Sequence, residues 1–286
     1  IGVKMNIMVT GGAGFIGTNL IKRLLKDGHN VVSLDNYSTG TEENHQEGCE
    51  YFTADVRDVI DFGYYMEQPD IVFHLAAFPR IQPSFENPAN TFEINTMGTL
   101  NILEWVRERK CRMIYAGSSS VHGGKYKNPY TFTKDLSEQL CEMYNTLYQV
   151  EVSICRFYNV YGDYQPLSGE YAAVVGIFLE QYRNGEPLTI TGDGFQRRDF
   201  THVNDIVEGM VLTAENNFSW DIVELGSGVN HSINELASMF KCETTYIDER
   251  PGEARETLCD TQIAKRLIGY EPKEDLRKYI KGEIGE

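Results

Sequence analysis

Residues 5–17, MNIMVTGGAGFIG, decide the fold. The apolar run Met5 to Thr10 predicts a buried β-strand, and the glycine-rich run Gly11 to Gly17 follows it at once. An amphipathic helical run, Thr18 to Asp27, and a second apolar run, Val31 to Leu34, come next. Strand, glycine turn, helix and strand in this order predict a βαβ unit, and therefore a parallel sheet.

The glycine turn has the spacing G-x-x-G-x-x-G, with glycines at Gly11, Gly14 and Gly17. Such glycines allow a tight turn and let a pyrophosphate approach the N-terminus of the helix. Asp35 follows the second strand, where a carboxylate accepts hydrogen bonds from an adenosine ribose. It would repel a 2′-phosphate, and residues 36–39 supply no arginine to receive one. The turn therefore predicts a dinucleotide site that takes NAD rather than NADP.

Strands and helices keep alternating over the first 160 residues. Apolar runs such as Ile71 to Leu75 and Val150 to Phe157 alternate with helical ones such as Asn90 to Arg109. This predicts an α/β Rossmann fold with a doubly wound parallel sheet over residues 1–160, the NAD-binding domain. The alternation is lost afterwards, so residues 161–286 are expected to form a smaller, interleaved α/β substrate domain. Ligands bind at strand carboxyl ends, where the sequence places Asp35, Asp55, Ala76 and Ser118. Asp55 is equally compatible with an ordinary loop acid.

A second stretch, Cys111 to Lys134, carries the candidate chemistry. An apolar strand ends in the serine run Ser118 to Ser120, and Tyr130 and Lys134 follow one helical turn apart. Asn128 is suited to cap that helix. Because the chain has 17 tyrosines, a Tyr-x-x-x-Lys pair is expected by chance alone. Only the context of this pair, after a strand that ends in serines, makes it a candidate for catalysis. A lysine and a helix N-terminus both favour a phenolate, so Tyr130 is a candidate base.

Composition excludes several classes of function. A net charge of −16 argues against a nucleic-acid partner and against an anionic membrane surface. The six cysteines are scattered without metal-ligand spacing, so we expect reduced thiols, no metal site and a cytoplasmic protein. No apolar run is long enough to cross a membrane, and we expect neither a signal peptide nor an anchor.

Two features keep alternatives open. Arg198 and Arg250 could clamp a diphosphate, because a planar guanidinium suits phosphate oxygens, but isolated arginines are also common on surfaces. The helix after Lys134 has an apolar stripe that, with the helix Asn90 to Arg109, could form a homodimer face. Packing against the sheet would explain the same stripe.

Taken together, the motifs resemble the extended short-chain dehydrogenase/reductase family, and within it the NAD-dependent nucleotide-sugar epimerases and dehydratases. The resemblance covers nearly the whole chain and rests on these segments: TGGAGFIG (residues 10–17), LDNYSTG (34–40), DVRD (55–58), HLAA (74–77), NTMGTLNILE (95–104), SSSVHG (118–123), NPYTFTK (128–134), RFYNVYG (156–162), GDGFQRRDFTHVND (192–205) and RPGE (250–253).

The resemblance implies NAD as cofactor and a UDP-sugar as substrate. By position it implies cofactor contacts from Gly11, Gly14, Phe15, Ile16, Gly17, Asp35, Asn36, Ser38, Thr39, Gly40, Asp55, Val56, Leu75, Ala76, Ala77, Asn95, Tyr130, Lys134 and Phe157. It implies substrate contacts from Ser118, Asn159, Val174, Thr189, Thr191, Arg198, Arg250, Glu253 and Thr257. The implied catalytic residues are Ser118, Tyr130 and Lys134.

The two positions after Ser118 separate the chemistries of the family. Similar dehydratases have Asp-Glu there and similar decarboxylases a Glu at the second position, whereas this chain has Ser119 and Ser120. The resemblance therefore implies a 4-epimerase that works through a transient 4-keto sugar. A decarboxylase, dehydratase or reductase on the same scaffold is the first alternative, and a non-catalytic NAD-binding module is the second.

Three positions bear on substrate range. His122 stands where the family has Tyr, and it could touch substrate or merely pack. Only 11 residues separate Ser118 from Tyr130, fewer than in the family, so a wall of the sugar pocket is expected to be open. The resemblance places a gate beside the sugar 2-substituent at Thr257. A small residue there implies tolerance of N-acetylated or uronic sugars, unless Thr257 is only a loop residue.

Overall fold

The strands and helices belong to the computed structural model, which describes residues 3–58, 66, 68–216 and 219–285. Its strands are β1 (Asn6–Thr10), β2 (Asn30–Asp35), β3 (Cys49–Thr53), β4 (Ile71–His74), β5 (Arg112–Ser118), β6 (Val152–Phe157), β7 (Asn159–Tyr161), β8 (Leu188–Thr191), β9 (Arg197–His202), β10 (Trp220–Leu225), β11 (Asn230–Ser232) and β12 (Thr244–Ile247).

The helices are α1 (Phe15–Lys26), α2 (Ile81–Glu86), α3 (Pro88–Phe92), α4 (Gly98–Arg109), α5 (Pro129–Tyr148), α6 (Val174–Arg183), α7 (Val203–Glu215), α8 (Ile233–Ser238), α9 (Thr261–Ile268) and α10 (Leu276–Ile284). A π-helical turn, Glu93–Met97, joins α3 to α4, and a 3₁₀ turn, Ser119–Gly123, follows β5.

Seven parallel strands of the described residues form the main sheet, in the order β10-β6-β5-β4-β1-β2-β3. The winding direction reverses between β1 and β4, which opens a crevice at their carboxyl ends. The predicted doubly wound Rossmann fold is confirmed. Because β10 lies beyond residue 160 and returns to this sheet, the N-terminal core takes part of its structure from the C-terminal half. The division of the chain into two domains at residue 160 stays a prediction. Residues 1, 2 and 286, at the outer ends of those predicted domains, lie outside the described ranges.

Both faces of the main sheet are buried, as a parallel sheet requires. Leu20 of α1 and Met210 of α7 belong to the core on one face, while Val106 of α4 and Tyr144 of α5 belong to the core on the other. A third core lies between the smaller sheets, β11-β9-β7 and β12-β8, with Phe178, Phe200, Leu236 and Phe240 among its members.

The helix predicted over Asn90 to Arg109 is interrupted. The π turn holds Asn95, whose side chain accepts a hydrogen bond from Phe78 N at 2.7 Å. The Asn95 carbonyl also accepts from the Thr99 and Ser137 hydroxyls, at 2.6 and 2.8 Å. These contacts fix the wider turn, and such π turns often lie beside functional sites. The six cysteines are free thiols, as expected. No helix in the described ranges is long and apolar enough to cross a bilayer.

The carboxylate of Asp199, in β9, joins the two parts of the chain. It is fully buried and accepts five hydrogen bonds: from Ser227 N (2.8 Å) and Oγ (2.6 Å), Gly228 N (2.9 Å), Cys259 N (3.1 Å) and Thr201 Oγ1 (3.1 Å). Residues 227 and 228 follow β10 of the main sheet. The carboxylate therefore ties the main sheet to the smaller lobe.

Asp199→Asn should strongly destabilise the protein. The amide nitrogen would face backbone N–H donors and leave them unpaired, and each lost bond to a buried charge is worth about 1.5–3 kcal/mol. We expect the free energy of unfolding, measured by urea denaturation, to fall by about 3 kcal/mol or more. Asp193→Asn is the control, because that side chain is 52% exposed and its ion pair with Arg255 is screened by solvent, so the variant should lose little stability. Equal losses in the two variants would contradict the role assigned to Asp199.

Candidate active site

A cavity of about 480 Å³ runs from the glycine turn, across the carboxyl ends of the main sheet, to β8 and β9. It lies at the β1/β4 crevice, where the winding of the sheet predicts a ligand. Within the described residues, no group of His, Cys, Asp and Glu is arranged to hold a metal ion.

The glycine turn leaves its backbone open to a ligand. Gly11 has φ +73°, and a Cβ built there would lie 2.8 Å from Ala76 N. A Cβ on Gly17 would overlap the Gly11 carbonyl oxygen, whereas one on Gly14 would be 3.4 Å from it. The first and third glycines thus let β1, α1 and the loop after β4 pack closely. The resulting cradle at the N-terminus of α1 fits a pyrophosphate.

Two carboxylates lie at the adenosine end. Asp35 accepts hydrogen bonds from Ala13 N (2.9 Å) and Tyr37 N (2.8 Å), and burial raises its pKa. Asp55 is held by Arg57, whose side chain lowers the pKa of that carboxyl to about 2. Asp35 is thereby fixed beside the cradle, which fits the ribose of NAD.

Ser118 and Tyr130 meet in the middle of the cavity. Ser118 ends β5 and is buried, and its hydroxyl lies 3.0 Å from Ser120 Oγ. Tyr130 lies in the first turn of α5, which Asn128 caps through Thr131 N at 2.7 Å. Burial raises the pKa of Tyr130, while its hydrogen bond with Ser118 and the charge of Arg80 act in the opposite direction.

Lys134 lies beneath this pair, also buried. Its Nζ donates to Ala116 O at 2.7 Å and to Tyr115 OH at 3.2 Å, rather than to Tyr130. Burial lowers the pKa of Lys134 to about 8, although the charge of Glu138 opposes that shift. The structure thus places a cation at the floor of the site, but its hydrogen bonds go to β5. The groups that favour the Tyr130 phenolate here are Ser118 and Arg80.

The far end of the cavity contains the candidate diphosphate cations. Arg198 is buried and pairs with Glu253 at 3.2 Å, and burial lowers its pKa. Arg250 is exposed at the rim. Thr257 also lines the cavity, and its hydroxyl accepts a hydrogen bond from Asp199 N at 3.3 Å.

Most residues proposed from the sequence line this one cavity. They are Gly11, Gly14, Phe15, Ile16, Gly17, Asp35, Asn36, Ser38, Thr39, Asp55, Val56, Leu75, Ala76, Ala77, Ser118, Tyr130, Lys134, Phe157, Asn159, Val174, Thr189, Thr191, Arg198, Arg250, Glu253 and Thr257. Gly40 and Asn95 lie behind the lining instead. Gly40 packs against Ala13, where a Cβ would be 2.8 Å from the carbonyl carbon, and Asn95 is turned toward Phe78 and Thr133.

The short segment between Ser118 and Tyr130 does not leave an open wall. Residues 251–254 pack against it: Asn128 Nδ2 donates to Gly252 O at 3.1 Å, and a Cβ on Gly123 would be 3.3 Å from Ala254 Cβ. Gln82 of α2 donates to Pro251 O at 3.0 Å from the other side. A segment from the smaller lobe thus closes the gap that the sequence predicts.

His122 turns away from the cavity. Its Nε2 lies 2.6 Å from Glu224 Oε1, and the side chain is half exposed. Burial raises the pKa of Glu224, but hydrogen bonds from His122, Tyr158 and Arg156 lower it to about 2 overall. The imidazole therefore packs in a charge network of β6 and β10 instead of facing the cavity.

Sequence reasoning missed several lining residues, among them Arg80, Gln82, Lys127 and Gln196. For Arg80 and Gln82 a signal was present: the sequence FPRIQ begins three residues after Leu75, the end of a predicted strand, and a loop at a strand carboxyl end is where ligands bind. Lys127 and Gln196 carry no comparable signal, because their place depends on how distant segments pack.

Comparisons with known proteins agree with this geometry. The sequence profile of the "NAD dependent epimerase/dehydratase family" matches residues 7–226. A putative UDP-glucose 4-epimerase of Methanocaldococcus jannaschii is 34% identical over 96% of each chain. UDP-glucuronic acid decarboxylase 1 of Xenopus tropicalis is 33% identical over 97% of this chain and 72% of its own.

Among solved structures, the UDP-glucuronic acid 4-epimerase of Bacillus cereus, in complex with UDP-glucuronic acid and NAD, superposes with a TM-score of 0.90. The two chains are 28% identical, and 98% of each is covered. The profile match and these similarities show that this NAD-dependent enzyme belongs to the NAD dependent epimerase/dehydratase family.

Proposed function

We propose that this protein is a UDP-sugar 4-epimerase that acts through a transient 4-keto sugar. The observation that carries the proposal is that Tyr130 and Ser118 line one cavity together with Ser119 and Ser120, which stand where an added acid or base would be needed. Of the glutamates that line the described cavity, Glu253 is held by Arg198 and Glu170 lies beyond β7. Oxidation and reduction at one carbon need only a single proton-transferring group.

The geometry supports the following mechanism. Arg198 and Arg250 hold the diphosphate, so that the sugar extends toward Tyr130. Ser118 bridges the sugar 4-hydroxyl and Tyr130, and Tyr130, as a phenolate, takes the hydroxyl proton. NAD, when bound, would provide the acceptor for the hydride that leaves C4 and the donor that gives the hydride back to C4 of the ketone. The 4-keto sugar turns over while the diphosphate stays anchored, and Tyr130 returns the proton to O4.

Protein packing keeps water from the oxidised sugar. Residues 251–254 close the cavity over the Ser118–Tyr130 connection, and α2 closes it from the other side. Lys134 lines the floor of the site, where its ammonium form stabilises developing negative charge. Because the oxidised sugar is not released, the cofactor is regenerated within each turnover.

A decarboxylase is the second candidate, since a relative with that name covers nearly the whole chain. Loss of CO2 from a 4-keto uronate would follow the same first oxidation at Tyr130 and Ser118. The two activities differ in their products: an epimerase yields a uronate of the same mass, and a decarboxylase yields a pentose and CO2. The Tyr130 and Lys134 pair argues against a purely NAD-binding module.

Tyr130→Phe should abolish turnover and leave ligand binding nearly intact, because the lost hydroxyl acts in proton transfer. We expect kcat to fall at least about 100-fold, with NAD and UDP-sugar affinities within a few-fold of wild type. Tyr126→Phe is the matched control, since that ring is 80% exposed, and it should keep wild-type kcat. A Tyr130→Phe enzyme retaining more than about a tenth of wild-type kcat would show that another group is the base.

The cavity should admit larger sugars, because Thr257 is small and lines it. We expect the wild type to interconvert N-acetylated or uronic 4-epimers at least as well as UDP-glucose and UDP-galactose. Thr257→Tyr should narrow this range by lowering kcat/KM for the N-acetylated pair about tenfold or more relative to the glucose pair. NMR of the products measures both. If the wild type acts only on UDP-glucose and UDP-galactose, the role of Thr257 as a gate for larger sugars is refuted.

We also propose a homodimer formed by α4 and α5 from two copies. The helices neighbour each other, and α5 exposes Met143 (40%), Leu147 (64%) and Tyr148 (52%), while Met97, just before α4, is 49% exposed. Two copies of such a surface can cover each other about a twofold axis. Leu147→Glu should therefore yield monomers by light scattering, while Val229→Glu, at another exposed apolar position, should not. A monomeric wild type would contradict the proposal.

A further inference from the structure

One cation on the sugar side of the cavity has no acidic partner. Arg80 follows β4 and precedes α2, and it lines the cavity. Its Nε donates to Tyr171 O at 2.8 Å. Within the described residues, no carboxylate pairs with it, and its two terminal nitrogens carry no hydrogen bond to protein. This is notable in a chain with 42 acidic and 26 basic residues.

Of the other described cations that line the cavity, two are occupied by the protein and two, Lys127 and Arg250, are exposed to solvent. Arg198 pairs with Glu253, and Lys134 donates to the Ala116 carbonyl. Arg57, at the adenosine end, pairs with Asp55. A half-buried guanidinium without an anion loses hydration that nothing replaces, and burial accordingly lowers the pKa of Arg80. The two free nitrogens of its fork match the two oxygens of a carboxylate.

The position of Arg80 indicates where on the sugar that carboxylate would be. Arg80 interacts electrostatically with Tyr130, so both side chains face the same region. The proposed function requires Tyr130 to take the proton of the sugar 4-hydroxyl. In that case the groups nearest to Arg80 are the substituents on C3 and C5, the two carbons that flank C4. The diphosphate lies at the opposite end, with Arg198 and Arg250.

We propose that Arg80 binds a carboxylate carried on C3 or C5 of the sugar, and that the preferred substrate is therefore an acidic UDP-sugar. This inference rests on the proposed function, because it places C4 at Tyr130. A uronate carries the carboxylate directly on C5, and a lactyl ether carries it on O3. Arg80 then acts as a specificity residue that discriminates acidic from neutral sugars.

The test compares matched acidic and neutral substrates. For wild type and Arg80→Leu, kcat/KM is measured with UDP-glucuronate against UDP-glucose, and with UDP-N-acetylmuramate against UDP-N-acetylglucosamine. Removing one partner of a desolvated charge pair typically costs 30-fold or more, so we expect Arg80→Leu to lose at least about 30-fold on one acidic substrate. Because Arg80 also favours the Tyr130 phenolate, both classes of substrate should lose activity by a shared factor, and the acidic-to-neutral ratio of kcat/KM is the quantity that should fall about 30-fold. If the larger loss is on UDP-glucuronate, Arg80 binds a carboxylate on C5. If it is on UDP-N-acetylmuramate, Arg80 binds a carboxylate carried on O3.

Two further variants control for charge and geometry. Lys125→Leu removes a cation of the loop between β5 and α5 that pairs with Asp135 outside the cavity lining, and it should leave the acidic-to-neutral ratio unchanged. Arg80→Lys keeps the charge without the fork and should recover only part of the ratio. Thermal unfolding and NAD titration confirm that each variant is folded.

Equal losses on acidic and neutral substrates would overturn the inference, since Arg80 would then act through Tyr130 on every substrate. A wild type that prefers the neutral member of both pairs would overturn it as well. Calorimetric titration of the same nucleotide sugars separates this inference from the proposed reaction. If nothing is epimerised but tight binding of one acidic sugar requires Arg80, the proposed function fails and the carboxylate site stands.

Discussion

The two parts of the molecule are held in register by one buried carboxylate, Asp199. Its five hydrogen bonds link β9 to the loop after β10 and to Cys259. Arg198 precedes it, and Thr257 contacts its backbone, so both cavity residues are placed by the same network. A cleft between two folding units needs a fixed width for a substrate held at both ends. Asp199 helps to fix that width as an anion that the protein keeps fully hydrogen-bonded, together with the contacts of Asn128 and Gln82 with residues 251–252.

A second network supports the floor of the site. Arg156 of β6 bridges Glu138 of α5 and Glu224 of β10, at 2.6 and 3.1 Å. His122 contacts Glu224 and extends this network of ion pairs to the surface. Glu138 also raises the pKa of Lys134 against the effect of burial. The charge that Lys134 carries is thus maintained by an acid that is itself neutralised by Arg156. Such coupled groups fix the ends of β5 and β6, where Ser118 and Phe157 meet the cavity.

The sequence predicts well those features that neighbouring residues determine. The glycine turn and the Asn128 cap depend on contacts within a few residues, and the structure has both of them. The fold class follows from the order of strands and helices. Features that depend on distant segments were missed or mistaken, such as the π turn at Asn95 and the closure of the short connection by residues 251–254. The contact between His122 and Glu224 spans 102 positions, and no local pattern encodes it.

The ionisation of Tyr130 depends both on residues that are near it in the sequence and on residues that are distant. Burial alone makes its phenolate unfavourable, and Ser118 offsets this only through a hydrogen bond. The remaining help must come from positive charge, and the sequence pattern assigns that task to Lys134. In the structure Lys134 is bound to the carbonyl of Ala116, and Arg80 also faces the phenol. If a substrate carboxylate occupies Arg80, its charge is shared with that anion and acts less on Tyr130. The phenolate then depends chiefly on Ser118, because Lys134 stays bound to the Ala116 carbonyl.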